Sequence, residues 1–291
     1  MPDIDLHGIV GTRVARPDAI VEAATSRTRP TSLLGPHGRL MVIAADHPAR
    51  GALRAGDDAL AMADRVELLD RLCLALSRPG VNGVLGTADI LEDLLLLGAL
   101  HDKVVVGSMN RGGLAGTAFE IDDRFTGYDA AAIASAGFEA GKMLLRIDAE
   151  DPSTVRTLEA CATAVTQLAE RGLVAMVEPF ISHRVDGRVR NELTPEAMIR
   201  AMTVSAGLGT TSRYTWLKVP VVDDIERVMA ATTLPALILG GEVGRDQDAA
   251  FSSWAKALAV PNVKGLVIGR SLLYPPDGDV AAAVDTAVGL L

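Results

Sequence analysis

A lysine inside an apolar segment is the residue of this sequence with the clearest chemical consequence. Lys218 lies in the run TWLKV at 215–219, whose aromatic and β-branched residues, ended by Pro220, predict a buried β-strand. An ammonium group buried without a partner is costly, so a buried lysine tends to lose its proton. A neutral amine can attack a carbonyl carbon and form a Schiff base. The alternative is a lysine at the strand end whose amine reaches water and does no chemistry.

Three more charged residues accompany predicted strands. Glu178 directly follows the run LVAMV at 173–177, and Asp46 directly follows LMVIAA at 40–45. Lys142 is the first residue of KMLLRI at 142–147. A carboxyl group in a partly dry site can have a raised pKa and transfer protons near neutrality, which is the role we predict for Glu178. Lys142 has three possible roles: as a neighbouring cation it would lower the pKa of Lys218, or it would bind substrate hydroxyls, or it would form the Schiff base itself. Asp46 would accept hydrogen bonds from substrate hydroxyls. Simple ion pairing is the alternative for these groups.

Two glycine turns indicate an anion site. One follows the apolar run at 236–239 and the other, which includes an arginine, follows the run at 265–268. Glycine lets backbone N–H groups approach an anion closely, and arginine adds a forked cation. The alternative is tight turn geometry with a surface arginine. With two polar residues after the strand at 104–107, the predicted phosphate- and substrate-binding residues are Gly240, Gly241, Gly269, Arg270, Ser108 and Asn110.

Metal chemistry is disfavoured by the positions of the histidines. His47, His101 and His183 are far apart in sequence, and no two of them have the short spacing of a ligand pair. His101 also precedes its strand, at the end opposite the other polar residues. We therefore predict a metal-independent site without a cofactor.

The elements that must position these residues alternate regularly. Eight short apolar runs are predicted as parallel strands buried on both faces, at 40–45, 83–85, 104–107, 142–147, 173–177, 215–219, 236–239 and 265–268. Helical patterns separate them, at 57–77, 89–100, 129–140, 153–171, 194–208, 222–231, 246–258 and 279–291. This alternation predicts an α/β protein with a (β/α)₈ TIM barrel at 40–291, with a doubly wound sheet as the alternative. Residues 1–39 are predicted to form an extension packed on the barrel, with a helix at 17–26.

Composition narrows the function classes. The chain has 291 residues, 49% of them hydrophobic, and a formal net charge of −9, which argues against nucleic-acid or acidic-membrane partners. Two distant cysteines and the absence of signal-peptide features at the start predict a cytoplasmic protein. Helices rich in Ala and Leu predict a homo-oligomer.

Five short motifs, in order on the predicted strands, resemble class I (Schiff-base) aldolases of the deoxyribose-phosphate and tagatose-bisphosphate aldolase superfamily. They are DHPARGAL at 46–53, KMLLRID at 142–148, VEP at 177–179, LKVP at 217–220, and the two glycine turns. The resemblance spans about 40–275 and is greatest for tagatose-bisphosphate and sulfofructose-phosphate aldolases. His47, Pro48 and Ala49 replace a shorter link that contains Gln in that family, and the strand at 236–239 lacks the lysine of deoxyribose-phosphate aldolases.

This resemblance implies an aldehyde-lyase that cleaves a phosphorylated ketose or keto-acid, with Lys218 as nucleophile, Glu178 in proton transfer, Lys142 and Asp46 as polar supports, and phosphate at the glycine turns. The chain is also similar to an actinobacterial barrel family associated with inositol catabolism, which implies 6-phospho-5-dehydro-2-deoxygluconate as substrate. Two other functions stay open from the residues. One is a phosphosugar isomerase or epimerase without a covalent step, and the other is a non-catalytic phosphosugar sensor.

Overall fold

Eight parallel strands close into a barrel in the computed structural model, which describes residues 4–241 and 246–291. The strands of the described residues are β1 (Leu40–Ala44), β2 (Gly83–Gly86), β3 (Val104–Ser108), β4 (Ala140–Ile147), β5 (Val174–Val185), β6 (Arg188–Asn191), β7 (Thr215–Val219), β8 (Ala236–Leu239) and β9 (Val263–Ile268). Neighbours around the barrel are β1, β2, β3, β4, β5, β7, β8 and β9, and β9 pairs back to β1. The predicted (β/α)₈ TIM barrel is confirmed, and a doubly wound sheet is wrong because the first and last strands pair with each other.

Helices cover the outside of the barrel. They are α1 (Leu6–Ala15), α2 (Ala19–Ser26), α3 (Arg65–Ser77), α4 (Ala88–Leu96), α5 (Ala130–Ser135), α6 (Ser153–Glu170), α7 (Pro195–Ala206), α8 (Ile225–Met229), α9 (Gln247–Leu258), α10 (Arg270–Leu273) and α11 (Val280–Val288). The helix predicted at 57–77 begins only at Arg65, because the Asp64 side chain caps it by accepting from the Glu67 N–H. Helix α1 has no counterpart in the sequence predictions.

Alternate residues of each strand point into the barrel, as the two-residue period of a strand requires. The interior cluster consists of Leu40, Val42, Ala44, Leu85, Val104, Val106, Ala140, Val174, Met176, Leu237 and Val267, with Trp216 packed against it. Continuing the same alternation toward the C-terminal strand ends gives five polar residues: Asp46, Ser108, Lys142, Glu178 and Lys218. The strand pleat therefore points all five into the mouth of the barrel.

The N-terminal extension is tied to the opposite end of the barrel by arginines. Arg27, which is buried, donates to a Glu139 carboxylate oxygen at 2.9 Å, and Arg29 reaches the same oxygen at 3.0 Å. The other Glu139 oxygen accepts from the Val105 N–H at 2.8 Å. Arg13 of α1 pairs with Asp93 of α4 at 2.9 Å. These contacts pack residues 4–39 on the barrel, whereas residues 1–3 lie outside the described part of the chain.

Two segments rise over the mouth of the barrel. Strand β5 continues past the barrel and pairs with β6 as an antiparallel hairpin that turns at Asp186 and Gly187. The segment at 109–129 leaves the C-terminal end of β3 and leads to α5. It is bound to the hairpin by Arg184, which donates to the Ala118 carbonyl at 2.8 Å. The hairpin was not predicted, because its exposed polar residues lack the apolar pattern of the barrel strands.

Candidate active site

Two lysines share one carboxylate in the mouth of the barrel. Lys218, on β7, places its Nζ 2.9 Å from Glu178 Oε1, and Lys142, on β4, binds the other oxygen, Oε2. Lys142 Nζ also lies 3.2 Å from Asp46 Oδ2. The four predicted catalytic residues therefore form one continuous cluster. Lys142 is 0% exposed and Lys218 4% exposed, so the cluster is almost dry.

The protonation of this cluster follows from its burial. Burial lowers the pKa of Lys218 and lowers that of Lys142 well below its usual value. Burial alone would raise the pKa of Glu178, but Lys142 and Lys218 hold it well below its usual value. The raised pKa expected for Glu178 is therefore wrong, because two cations flank this carboxylate. Glu178 stays ionised through neutral pH, and it is the lysines that have an easily lost proton.

Asp46 joins the lysine cluster to an arginine that sequence reasoning missed. Its Oδ2 contacts the Arg111 guanidinium and accepts from the Ser108 hydroxyl at 3.2 Å, in addition to Lys142. Arg111 also donates from Nε to Ser108 Oγ at 3.0 Å. Burial lowers the pKa of Arg111 to about 10, so this residue still carries a positive charge at neutral pH. Its proximity to the predicted strand end at 104–107 was the available signal.

The two polar residues predicted after β3 are placed differently. Ser108 lies among the charged groups and holds both Asp46 and Arg111. Asn110 instead binds backbone: its amide nitrogen donates to the Leu144 carbonyl at 2.6 Å and to the Asp123 carbonyl at 3.2 Å, and its oxygen accepts from the Leu144 N–H at 2.7 Å. Asn110 thus fastens the segment at 109–129 to β4.

His47 faces the same cluster from the end of β1. Its Nδ1 is buried without a hydrogen-bond partner, 3.9 Å from Asp46 Oδ1, which is also buried without one. Burial lowers the pKa of His47 well below its usual value, and Arg270, Lys218 and Lys142 lower it further, so the imidazole is neutral. A neutral ring beside an unsatisfied carboxylate oxygen leaves two polar atoms available to a hydroxyl group.

The glycine turns adjoin this cluster. A Cβ on Gly269 would lie 2.5 Å from the Ala44 carbonyl oxygen and 2.9 Å from His47 Cε1, and one on Gly240 would lie 2.8 Å from Ile268 Cγ2. Only glycine allows Gly269 to approach the end of β1 this closely, and only glycine gives Gly240 this close contact with β9. Gly241 has a φ of +70°. Glu242, which follows it, lies outside the described residues.

Arg270 is the first residue of α10, directly after the glycine turn that follows β9. One guanidinium nitrogen, Nη1, donates to the Arg54 carbonyl at 3.0 Å. The charge of Arg270 lowers the pKa of both His47 and Lys218, which indicates that it lies near them. The turns after β8 and β9 thus place the glycines and one arginine on the side of the mouth beside Lys218.

A second set of buried charges supports the segment at 109–129. Arg146 forms a two-bond pair with Asp123, at 2.8 and 2.7 Å, and also contacts Glu120. Glu120 is held in turn by Arg50 at 3.1 Å. These ion pairs link β4, the 3₁₀ turn at 48–50 and the segment at 109–129 to one another.

The described residues, 4–241 and 246–291, contain no cluster of three His, Cys, Asp or Glu side chains with metal-binding geometry. Among them, His183 is exposed on the hairpin and His101 accepts a hydrogen bond from the Thr28 N–H at the opposite end of the barrel. No helix in these same ranges is long and apolar enough to cross a membrane.

The fold defines a class: a (β/α)₈ barrel of the kind that solved fructose-bisphosphate aldolases share. An archaeal fructose 1,6-bisphosphate aldolase is similar over 93% of this chain and 98% of its own, with a TM-score of 0.65 and 16% identity. Fructose-bisphosphate aldolase from Slackia heliotrinireducens is similar over 97% and 91%, with a TM-score of 0.63 and 16% identity. At these identities the likeness establishes the fold.

A nearer relative identifies the family. The model of the Cgl0159-like family matches residues 38–288, so the chain belongs to the Cgl0159-like family. The crystal structure of Cgl0159 from Corynebacterium glutamicum is 52% identical, covers 100% of this chain and 98% of its own, and has a TM-score of 0.96. No curated protein matches the chain. The expected aldolase relationship is confirmed as a shared fold, whereas the likeness to tagatose-bisphosphate and sulfofructose-phosphate aldolases stays a prediction.

Proposed function

We propose that this protein is a class I aldolase that cleaves a phosphorylated ketose or keto-acid through a Schiff base on Lys218. The observation that carries the proposal is the pair of buried lysines on one buried carboxylate, at the end of the barrel where such enzymes act. A buried amine whose pKa is lowered is the feature that Schiff-base chemistry requires.

The reaction can be written with these residues. The neutral amine of Lys218 attacks the substrate ketone, and the carbinolamine takes a proton from Lys142, through Glu178, and loses water to give an iminium ion. Glu178, directly or through a water molecule, takes the proton of the hydroxyl group on the second carbon from the iminium carbon. The bond between that hydroxyl-bearing carbon and its neighbour on the iminium side breaks. Its electron pair enters the iminium to form an enamine, and an aldehyde leaves. The enamine takes up a proton at carbon, and hydrolysis frees the product and Lys218.

The remaining predicted residues bind the substrate in this proposal. The phosphate would occupy the turns at Gly240, Gly241 and Gly269, with Arg270 as its cation, because the side of the mouth beside Lys218 combines close backbone approach with positive charge. Asp46 Oδ1, buried without a hydrogen-bond partner, would accept from a substrate hydroxyl. We keep Ser108 and Asn110 as substrate-site residues that act mainly by holding Asp46, Arg111 and the segment at 109–129.

Reductive trapping tests the nucleophile. The protein is incubated with dihydroxyacetone phosphate, reduced with sodium borohydride, and digested for peptide mass spectrometry. We expect the adduct on Lys218 and its loss in Lys218→Met. Lys256→Met is the matched control, because Lys256 is an exposed lysine on α9 and its replacement leaves the mouth intact.

The other outcomes separate the remaining functions. An adduct on Lys142 would keep the class of enzyme and exchange the nucleophile. No adduct, together with exchange of a substrate C–H proton into solvent, would replace the proposal by an isomerase or epimerase. Ligand binding without adduct or turnover would indicate a sensor. Once the ketone half is trapped, condensation with a panel of aldehydes, malonate semialdehyde among them, would identify the substrate.

Two features support the predicted setting of this enzyme. Cys73 and Cys161 are unbridged, as expected for a protein of the reducing cytoplasm. Large apolar side chains are exposed on the outside, including Val10, Val14 and Val155 at 51%, 80% and 68%, which supports a homo-oligomer. Sedimentation equilibrium would measure the oligomer directly.

A further inference from the structure

Among the residues that the structure describes, the charges of the lysine cluster do not balance, and one residue causes the imbalance. Asp46 and Glu178 are the carboxylates of the cluster, and Arg111, Lys142 and Lys218 are its cations. If Arg111 were absent, Asp46 would pair with Lys142 and Glu178 with Lys218. Both lysines would then be protonated ion pairs, and neither would be a nucleophile.

Arg111 competes with Lys142 for Asp46. Its guanidinium contacts the same oxygen, Oδ2, that Lys142 approaches at 3.2 Å, and Ser108 holds the guanidinium in place from Nε at 3.0 Å. A guanidinium keeps its proton more firmly than an ammonium group, so in a buried cluster the lysine is the group that yields. Asp46 and Glu178 then face three cations, and one of the two amines is the group that loses its proton.

We propose that Arg111 is a positioning residue that activates the nucleophile by sharing Asp46 with Lys142, so that two carboxylates face three cations and one amine stays neutral. This inference rests on the proposed aldolase function. The remaining proton moves between the lysines through Glu178, whose two oxygens each bind one of them. Nothing in the sequence pattern had assigned Arg111 a role.

The other charged or titratable groups near the lysines do not replace Arg111. They are His47 beside β1, Arg146 on β4, Asp123 in the segment at 109–129, Arg50 in the turn at 48–50, Cys161 on α6, and Arg270 at α10. Of these, Arg270 also acts on Lys218, but in the proposed complex it faces the substrate phosphate, which cancels its charge. Arg111 is 7% exposed and faces Asp46, so its effect persists with substrate bound.

The pH dependence of borohydride trapping with dihydroxyacetone phosphate tests this role. Adduct formation needs a neutral amine, so it declines on the acid side with a midpoint set by the lysines. In Arg111→Met we expect this midpoint to move up by about one pH unit, so that trapping at pH 7 falls roughly tenfold and recovers at higher pH. Arg111→Lys offers an amine that can itself yield the proton, so its midpoint should lie between those of wild type and Arg111→Met.

Two variants separate charge from structure. Arg111→Met combined with Asp46→Asn removes one charge of each sign, and we expect the midpoint to return toward wild type. Asp46→Asn alone keeps Arg111 and should move the midpoint down, which provides a test even if Arg111→Met does not fold.

Several results would overturn the role of Arg111: an unmoved midpoint in Arg111→Met, an equal loss of trapping at every pH, or a double variant that behaves like the single one. A wild-type protein that gives no adduct at any pH would overturn the proposed function and this inference with it. A trapped wild type with an unmoved Arg111→Met profile would overturn only the inference.

Discussion

Replacing Glu178 by glutamine should separate the protonation of the lysines from the chemistry of cleavage. Lys218 Nζ lies 2.9 Å from Glu178 Oε1, and at an effective dielectric constant of about 20 two unit charges at this distance attract by about 6 kcal/mol. Desolvation offsets part of this, and a neighbouring opposite charge typically shifts a pKa by roughly 1–3 units. We therefore expect Glu178→Gln to lower the pKa of Lys218 further, by at least about one unit.

The sign of the effect on activity follows from the form of the lysine that reacts. The neutral amine exists above the pKa of Lys218 and disappears as the pH falls through it. Because Glu178 favours the ammonium form, its removal should move the acid limb of borohydride trapping to lower pH. Cleavage of substrate should nevertheless fall by roughly 10²–10⁴, since the group that takes the hydroxyl proton is lost.

The assay is a pair of pH profiles, one for borohydride trapping and one for turnover, on wild type, Glu178→Gln and Glu178→Asp. Glu178→Asp keeps the charge, so its acid limb should stay near that of wild type even if the shorter side chain slows cleavage. An acid limb that moves to higher pH in Glu178→Gln, or turnover close to wild type, would refute the reasoning.

Two further predictions concern the frame of the site. Arg27→Met removes a buried ion pair with Glu139 and should lower the free energy of unfolding by about 3 kcal/mol. Arg29→Met removes a pair whose arginine side chain is 58% exposed and should lower it by less than about 1 kcal/mol. Equal losses of the two variants in chemical denaturation would contradict this. Gly240→Ala places a Cβ within 2.9 Å of neighbouring side chains and should raise KM for the phosphorylated substrate by roughly tenfold while leaving trapping of unphosphorylated dihydroxyacetone unchanged. An equal effect on both ketones would remove the glycine turn from the phosphate site.

The fold was predictable because barrel strands carry a strong local signal. All eight predicted strands are present, since parallel strands buried on both faces need continuous apolar runs. Helix α1 and the hairpin of β5 and β6 were missed for the opposite reason. Gly8 and Gly11 weaken the helical pattern of α1, and the hairpin is stabilised by pairing rather than by burial. The start of α3 was placed too early because an apolar period continues into the preceding loop, where Leu60 is 63% exposed.

The sequence by itself determined which side chains enter the mouth of the barrel. Three site residues each follow an interior residue by two positions: Lys142, Glu178 and Lys218. Because side chains two positions apart on a strand point to the same face, this spacing directs all three into the barrel. Only the tertiary structure decided how their charges combine. It forms the ion pair of Arg111 with Asp46 and those of Lys142 and Lys218 with Glu178. The residues of each pair are tens of positions apart in the sequence. Local pattern reports burial and direction, but a pKa depends on every charge within a few ångströms, and those neighbours come from different strands.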